Sequence, residues 1–175
     1  MLGPMATTFE IPELRTDRLT LRAFRAADLD AFAAMEADPE VRRYRGNDLR
    51  TRPEVWATMQ FALGQWALRG YGLFAIELTS DTAFIGFAGI LHPAEWPEPE
   101  LAYSLAQSAW GRGFATEAAT AARAWAFAHH GFSRLASFIL AGNTRSVHVA
   151  EKLGATRDGT VIIRGFEAER WVHQR

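Results

Sequence analysis

An eight-residue segment at 110–117, Trp-Gly-Arg-Gly-Phe-Ala-Thr-Glu, joins a strand-like stretch to a long helical one. Two glycines that bracket one residue let the backbone turn tightly and expose consecutive N–H groups, and the following helix adds the positive end of its dipole. Residues 100–106 before the turn have the pattern of a strand, whereas residues 115–130 after it lack glycine and proline and are rich in alanine. Such a turn is suited to bind a phosphate or another anion.

The spacing within this segment separates several kinds of nucleotide-binding loop. A Walker A loop has four residues between its glycines and then Lys with Ser or Thr, a pattern that this segment lacks. A Rossmann fingerprint would have a third Gly or Ala where Thr116 stands, and an acidic residue about twenty positions later, but none lies around Ser133. On this segment alone, a glycine-rich turn that binds no ligand stays an alternative.

A second segment, at 139–155, carries another group of residues that could bind a cosubstrate. It contains the end of an apolar strand, then Asn143, a short helical stretch and a stop at Gly154. Asn143, Ser146 and the Glu-Lys-Leu-Gly that ends at Gly154 resemble the Asn-x-x-Ser/Ala…Glu-Lys-Leu-Gly-Phe signature of the GNAT superfamily of N-acetyltransferases.

Two further motifs resemble the same family and stand in its order along the chain. The segment at 110–117 is similar to the family's Gln/Arg-x-x-Gly-x-Gly/Ala pyrophosphate loop, although Trp110 stands where the wider family often has Gln or Arg. Arg112 and Arg145 could supply the missing polar group, or either could be a solvated surface residue. Residues 14–22 and the Trp-Gly-x-Gly variant resemble the Rim-type branch, which includes ribosomal-protein N-terminal acetyltransferases.

The resemblance implies an α/β (α+β) fold, the GNAT fold, with a mixed, mostly antiparallel twisted sheet of about seven strands flanked by helices. It also implies acetyl-CoA as cosubstrate, with its pyrophosphate on the N–H groups of the glycine turn and its pantetheine hydrogen-bonded by Asn143. The family has a bulge in the strand before the turn, here at Leu105 and Ala106, which splays that strand from the next and lets pantetheine pair with the backbone. The residues expected to bind the cosubstrate are Leu105, Ala106, Gly111, Arg112, Gly113, Phe114, Ala115, Thr116 and Asn143.

Glu100 is the residue expected to act as general base, because the matching position in Rim-type enzymes faces the acceptor amine. It would take a proton from the amine directly or through a water molecule. The alternative is a solvated acid that follows a proline-containing loop. On a regular strand Glu100 and Tyr103 would project from opposite faces unless a bulge intervenes. A strand N–H near Leu105 could stabilise the oxyanion.

Ser146 is the candidate for assisting the departing thiolate. Many family members have a tyrosine seven residues after the motif Asn, but Ala150 stands there in this chain. Ser146 fits the Rim-type pattern and could hydrogen-bond the sulfur or relay a proton through water, whereas an ordinary serine in a first helical turn is the alternative. Trp96 and Tyr103 are candidate walls of the acceptor site, and Trp96 could equally cover the end of the sheet.

The elements that must position these residues follow from hydrophobic periodicity. Apolar residues recur at helical intervals between 55 and 66, which predicts the core face of a helix, with an aromatic wall for the acceptor as the alternative. Three prolines within 92–99 predict a surface loop. Strands are predicted at 18–24, 72–78, 83–91, 100–106, 134–140, 160–164 and 169–173, and helices after Asp28, Pro53, Gly113 and Asn143.

Length and charge favour one domain without a general affinity for polyanions. The chain has 175 residues, 49% of them hydrophobic, and 19 Lys plus Arg against 20 Asp plus Glu give a net charge of −1. We therefore expect a flexible tail over 1–9, a single domain over 10–175, no nucleic-acid partner and no membrane partner.

Cysteine and histidine usage excludes several kinds of site. The chain has no cysteine, so disulfides and thiolate metal sites are excluded, and its five histidines lack metal-binding spacing, so no metal is expected. We find neither an apolar run of membrane-spanning length nor a signal-like start, which predicts a cytoplasmic protein. Either a monomer or a homodimer is compatible with the sequence.

The chemistry of amide formation favours an acceptor whose amine is easily made neutral. An α-amino group with a pKa near 7.8 is roughly 14% neutral at pH 7, whereas a lysine side chain is only about 0.04% neutral. The sequence therefore predicts an acetyl-CoA-dependent N-acetyltransferase that acts on a protein N-terminal α-amine or a small primary amine. The alternatives are a noncatalytic acyl-CoA-binding or sensing module, which would not need Glu100, and a transferase for a longer acyl group.

Overall fold

The computed structural model describes residues 9–46 and 48–175, so most of the predicted tail over 1–9 lies outside the described residues. Within the described part, the strands are β1 (Leu14–Arg15), β2 (Leu19–Arg22), β3 (Leu73–Leu78), β4 (Phe84–Leu91), β5 (Glu100–Leu105), β6 (Arg134–Leu140), β7 (Thr156–Ile163) and β8 (Phe166–Gln174). The α-helices are α1 (Leu29–Glu36), α2 (Pro39–Arg42), α3 (Arg52–Arg69), α4 (Phe114–His129) and α5 (Thr144–Lys152).

All eight strands belong to one sheet in the order β1-β2-β3-β4-β5-β6-β8-β7. Every neighbouring pair is antiparallel except β5 and β6, which are parallel. The predicted mixed, mostly antiparallel sheet is confirmed. It has one strand more than the seven expected, because the two-residue strand β1 pairs with β2.

Helices cover both faces of the sheet. Helix α4 packs one face through a row of fully buried alanines, whose small side chains let the helix approach the strands closely; these are Ala118, Ala119, Ala122 and Ala126. Helices α1, α2 and α3 cover the opposite face through Phe32, Val41, Val55 and Met59. The apolar spacing within α3 therefore marks a core face, as predicted.

Strands β5 and β6 separate almost as soon as they meet, because Glu100 and Ala136 form their single paired position. We call the open space between the two strands beyond this pair the fork. The bulge expected at Leu105 and Ala106 is wrong: β5 keeps an unbroken register with β4 from Glu100 to Leu105. No inserted residue is needed, since β5 follows β4 while β6 follows β8 along its whole length.

A buried hydrogen-bond chain lies at the base of the fork. The hydroxyl of Ser137 donates to the carbonyl oxygen of Leu101 over 2.7 Å, so His173 Nε2, at 3.0 Å, must donate to Ser137 Oγ. His173 is fully buried, and its Nδ1 has no hydrogen-bond partner among the described residues. Burial lowers the pKa of His173 to about 4, and the charge of Arg123 acts in the same direction. The imidazole is therefore neutral at neutral pH.

The closing hairpin is longer than predicted. The expected strands at 160–164 and 169–173 extend into β7 and β8, with a tight turn in which Arg164 and Gly165 have φ values of 49° and 81°. Most of β7 is solvent-exposed, so its polar residues hid the strand from hydrophobic periodicity.

Candidate active site

The glycine turn forms the N-terminus of α4. Gly111 and Gly113 have φ values of 73° and 81°, a left-handed conformation that glycine adopts without steric cost. Gly113 is the N-cap residue, and the first helical bond runs from Glu117 N to its carbonyl oxygen over 3.1 Å. The three preceding N–H groups, at 114–116, are therefore left without helical partners. They border a cleft of about 300 Å³, which we call the donor cleft.

Arg18 and Glu117 hold this turn in place from outside the cleft. Glu117 accepts hydrogen bonds from Thr16 Oγ1 at 2.6 Å and from the backbone and side chain of Arg18 at 3.1 and 2.7 Å. Burial favours a higher pKa for Glu117, but these hydrogen bonds outweigh it and lower the pKa. Arg18 also donates to the carbonyl oxygen of Arg112 over 3.0 Å. Sequence reasoning missed this tie, although Thr16 and Arg18 belong to the motif at 14–22.

Helix α5 contributes several side chains to the donor cleft, and Arg45 also lines it. The side chain of Arg112 is exposed and lies over the ring of Phe114, 4.6 Å from its centroid, outside the cleft lining. The guanidinium of Arg145 instead lies 3.8 Å from the centroid of Trp110 and borders the cleft with His148 and Lys152. Of the two arginines expected to compensate for Trp110, only Arg145 is therefore at the cleft.

Leu105 and Ala106, the two residues expected to present backbone groups to pantetheine, differ in whether those groups are already hydrogen-bonded. Ala106 N donates to Ile85 O at 2.9 Å and Ala106 O accepts from Ala109 N at 2.9 Å, so both its backbone groups are bonded internally. The N–H of Ala106 is therefore not available to pantetheine, and a role for Ala106 in binding the cosubstrate stays a prediction. Because an antiparallel ladder alternates, the backbone of Leu105 faces the fork, and its carbonyl oxygen accepts from Trp110 Nε1 at 2.8 Å.

Asn143, Ser146 and Tyr103 meet where the donor cleft joins a second cavity, and all three border both spaces. Asn143 caps α5 by accepting a hydrogen bond from Ser146 N at 3.3 Å. The hydroxyl of Tyr103 donates to the carbonyl oxygen of Ser146 over 3.0 Å. Burial raises the pKa of Tyr103, with the Ser146 contact opposing, so the phenol stays protonated. The Ser146 hydroxyl makes no hydrogen bond to the part of the chain described.

The second cavity, of about 490 Å³, contains Glu100 and Trp96 and is called the acceptor pocket below. Glu100 is half-buried, and Trp96 Nε1 donates to its Oε2 over 2.6 Å. Burial raises the pKa of Glu100 to about 7, while hydrogen bonds from Trp96 and the backbone of Phe138 act against the rise. Glu100 is therefore not the solvated acid of the alternative interpretation, and Trp96 lines the pocket.

Glu100 and Tyr103 reach the same opening although β5 is regular. Their side chains start from opposite faces of the strand, and the fork connects the two faces. The acceptor pocket thus extends through the sheet rather than over one side of it. The geometry brings a carboxylate with a pKa near neutrality next to an anion-binding cleft, an arrangement suited to proton transfer during group transfer.

The acceptor pocket also contains a buried charge cluster that sequence reasoning missed. Glu36 is 1% exposed and pairs with Arg42 Nη1 at 3.0 Å and with Arg45. Arg45 also reaches Ser104 Oγ at 3.3 Å and lies over Phe87. Charged residues at helix ends are usually solvated, so nothing in the local sequence indicated this burial.

Comparison with known proteins identifies the family. A family model described as the acetyltransferase (GNAT) domain matches residues 18–156. The chain belongs to the GNAT acetyltransferase family. The chain is similar to an acetyltransferase structure from Agrobacterium tumefaciens, with 33% identity and a TM-score of 0.86. The alignment covers 99% of this chain and 100% of that chain. The uncharacterized N-acetyltransferase p20 of Bacillus licheniformis is 28% identical over 156 residues, 88% of this chain and 86% of the relative.

As a GNAT acetyltransferase, the protein is an enzyme that uses acetyl-CoA as its acyl donor, so the noncatalytic sensing alternative is set aside. RimL, a ribosomal-protein alpha-N-acetyltransferase solved with coenzyme A, has the same fold, with a TM-score of 0.76 at 15% identity over 93% of this chain and 98% of that one. This likeness shows that the two chains share a fold.

Residues 9–46 and 48–175 lack two features that would indicate other kinds of function. They contain no group of three or more His, Asp or Glu side chains arranged to hold a metal ion. Of the helices in these ranges, none has both the length and the apolar character that a bilayer crossing requires.

Proposed function

We propose that this GNAT acetyltransferase transfers the acetyl group of acetyl-CoA to a primary amine, either a peptide N-terminal α-amine or a small-molecule amine, with Glu100 as general base. The observation that carries the proposal is the position of Glu100. Its carboxylate is half-buried, hydrogen-bonded by Trp96 and located in the cavity that adjoins the donor cleft. A surface carboxylate would have neither the burial nor the raised pKa.

The pKa of Glu100 suits removal of a proton from an α-amine. At about 7, it lies within roughly one unit of the pKa of an α-ammonium group, near 7.8. At neutral pH a sizeable fraction of the carboxylate is ionised and able to accept the proton. General bases act best when their pKa is close to the working pH, which supports this role.

The reaction balances with acetyl-CoA and amine as its two substrates. The neutral amine nitrogen attacks the thioester carbonyl carbon, and the C–N bond forms while Glu100 accepts the proton that nitrogen loses. The N–H of Leu105, which faces the fork, is our candidate to stabilise the oxyanion. The C–S bond then breaks, and the thiolate takes a proton from solvent or through Ser146, whose hydroxyl borders both cavities.

The donor cleft supplies the matching groups for acetyl-CoA. We assign the pyrophosphate to the free N–H groups at 114–116 behind Gly111 and Gly113, with the cation of Arg145 beside them. Asn143 Oδ1 is used to cap α5, so its amide N–H groups are the ones we assign to pantetheine. Trp96 and Tyr103 would form walls around the acceptor amine.

The test is thiol release from acetyl-CoA with a panel of N-terminal peptides and small primary amines, repeated with propionyl-CoA and butyryl-CoA. We expect acetylation of at least one class, with acetyl-CoA as the preferred donor. Faster thiol release from propionyl-CoA or butyryl-CoA than from acetyl-CoA would mean that the enzyme transfers that longer acyl group. Absence of release with every amine would refute the proposed acceptor chemistry.

A further inference from the structure

The acceptor pocket contains four arginines, and three of them are paired with carboxylates. Arg42 contacts Glu36 and Asp48, Arg45 contacts Glu36, and Arg164 lies 3.5 Å from Glu95. The fourth, Arg50, has no carboxylate within 4.0 Å among residues 9–46 and 48–175. Its guanidinium makes one long contact, from Nη1 to Thr58 Oγ1 at 3.5 Å, and the residue is half-buried.

The carboxylates nearest to Arg50 are committed to other partners. Glu54 accepts from the backbone and hydroxyl of Thr51 at 2.8 and 2.7 Å, which closes the first turn of α3. Asp48 accepts from Arg42 Nη2 at 2.8 Å. The charge of Arg50 contributes to lowering the pKa of both acids, after their hydrogen bonds, but neither acid lies close enough to pair with it.

The remaining pocket carboxylate is also unavailable, because Glu100 is bonded to Trp96 and is the proposed base. The other walls are largely apolar and include Phe61, Phe87, Leu91, Ile163 and Phe166. A half-buried guanidinium with open donors beside apolar walls matches a ligand that has an apolar body and an anionic group. The charge of Arg50, which has no carboxylate partner among the described residues, opposes a cationic group of the acceptor at this position.

We propose that Arg50 binds an anionic group of the acceptor, so that the enzyme prefers primary amines that carry a carboxylate. This inference rests on the proposed N-acetyltransferase function and narrows its substrate class. In this proposal Arg50 determines which acceptor binds, and it takes no part in the proton transfer at Glu100. Carboxylate and phosphate both match a guanidinium, and the experiment below separates them.

The experiment compares acceptors that differ only in the anion. Glutamate α-amide is paired with glutamine α-amide, amidated peptides Ala-Asp-Phe with Ala-Asn-Phe, and phosphoethanolamine with ethanolamine, and spermidine is the polycation. We expect kcat/KM for the carboxylate member to exceed that for its neutral partner by about tenfold or more, mainly through KM. A preference confined to phosphoethanolamine would reassign the anion to phosphate, and faster acetylation of the neutral partner or of spermidine would overturn the proposal.

Variants of Arg50 test the assignment of this residue. Arg50→Gln should remove the preference by raising KM for the acidic acceptor alone, and Arg50→Lys should restore part of it. The matched control is Arg52→Ala, since Arg52 is exposed, pairs with Asp30 and lies outside the pocket. An unchanged acid-to-neutral ratio in Arg50→Gln would overturn the role of Arg50.

A binding measurement separates failure of this inference from failure of the proposed function. In the presence of CoA, N-acetylglutamate α-amide should raise the thermal midpoint more than N-acetylglutamine α-amide, and Arg50→Gln should abolish the difference. If no amine releases thiol but this difference is seen, the proposed amine chemistry fails while the anion site stands. If amines are acetylated without a difference in either assay, the anion site fails and the proposed function stands.

Discussion

The donor cleft and the acceptor pocket adjoin at Tyr103, Asn143 and Ser146, yet they are built from different materials. The anion-binding N–H groups of the donor cleft come from one continuous run of sequence, the glycine turn and the N-terminus of α4, although side chains of β5 and α5 also line the cleft. The acceptor pocket uses side chains from α1, α2, α3, β5, β6 and the closing hairpin. A site that binds through backbone N–H groups should tolerate substitution of nearby side chains. A site that binds through side chains should change its ligand preference when those side chains are substituted.

Substitution of Glu100 in the acceptor pocket should have the largest effect on activity. Glu100→Gln keeps the size of the side chain but removes the base, so kcat/KM should fall by about 10²–10⁴-fold while acetyl-CoA binding is unchanged. In the wild type, kcat/KM should rise with pH through about 7 as Glu100 loses its proton, and the variant should lack this step. Steady-state kinetics between pH 5.5 and 9 and calorimetric titration with acetyl-CoA measure both quantities.

The control for that comparison is Glu95→Gln, which changes an exposed acid in the loop before β5. It should leave the pH profile unaltered. Equal losses in both variants would argue against a specific proton transfer at Glu100.

The fork that joins the two cavities should make stability depend on pH through His173. Its pKa is about 4 in the folded protein and near 6.5 when unfolded, so the unfolded chain binds more protons between these values. The free energy of unfolding should therefore fall as pH drops from 6.5 to 4, by up to about 3 kcal/mol from this group. Urea unfolding at several pH values measures the slope.

His173→Gln should flatten this slope, even if it lowers stability overall. His148→Gln, at an exposed histidine, is the matched control and should keep the slope of the wild type. The same slope in all three proteins would mean that other groups control acid unfolding.

The donor cleft should respond to changes in backbone conformation. Gly113→Ala forces a side chain into a left-handed conformation at a cost of about 1–2 kcal/mol, so KM for acetyl-CoA should rise roughly tenfold with KM for the amine unchanged. Gly64→Ala is the control, because that glycine lies within α3 with no other atom near an added Cβ. An equal rise in both Michaelis constants would break the division between the cavities.

The smallest effect should come from a side chain of the donor cleft. Arg145→Ala removes an exposed cation and its stacking on Trp110, so KM for acetyl-CoA should rise by about two- to fivefold. The increase should shrink at high salt, because exposed charges are screened. Arg15→Ala, at an exposed arginine far along the chain, should show no change. If Arg145→Ala raised KM for acetyl-CoA as much as Gly113→Ala does, side chains would contribute as much as the backbone to binding in the donor cleft.

The contrast between the cavities also explains what could be predicted from the sequence. The glycine turn, Asn143 at the start of a short helix and most strand positions follow from local patterns, and the structure has the turn and these strands as expected. The roles of Glu100 and Ser146 stay predictions. The bulge at Leu105 was wrong because the family pattern does not record that β5 can leave β6 while staying in register with β4.

The polar network of the acceptor pocket was beyond sequence reasoning for a physical reason. Glu36 and Arg42 are buried and Arg45 is partly buried through contacts that form only in the folded chain, and their spacing along the chain resembles that of a solvated helix end. Ser137 and His173 likewise meet across 36 residues. Contacts between distant segments leave no periodic signal.

The sheet has two parts, β1–β5 and β6–β8, which share a single paired position, Glu100 with Ala136. Few backbone hydrogen bonds couple them, so β6 and β8 can open locally while β4 stays protected. A substrate that bonds to both edges of the fork would couple the two parts, and amide hydrogen exchange in β6 should slow when acetyl-CoA binds. The gap that admits the substrate thus also makes the integrity of the sheet depend on the bound substrate.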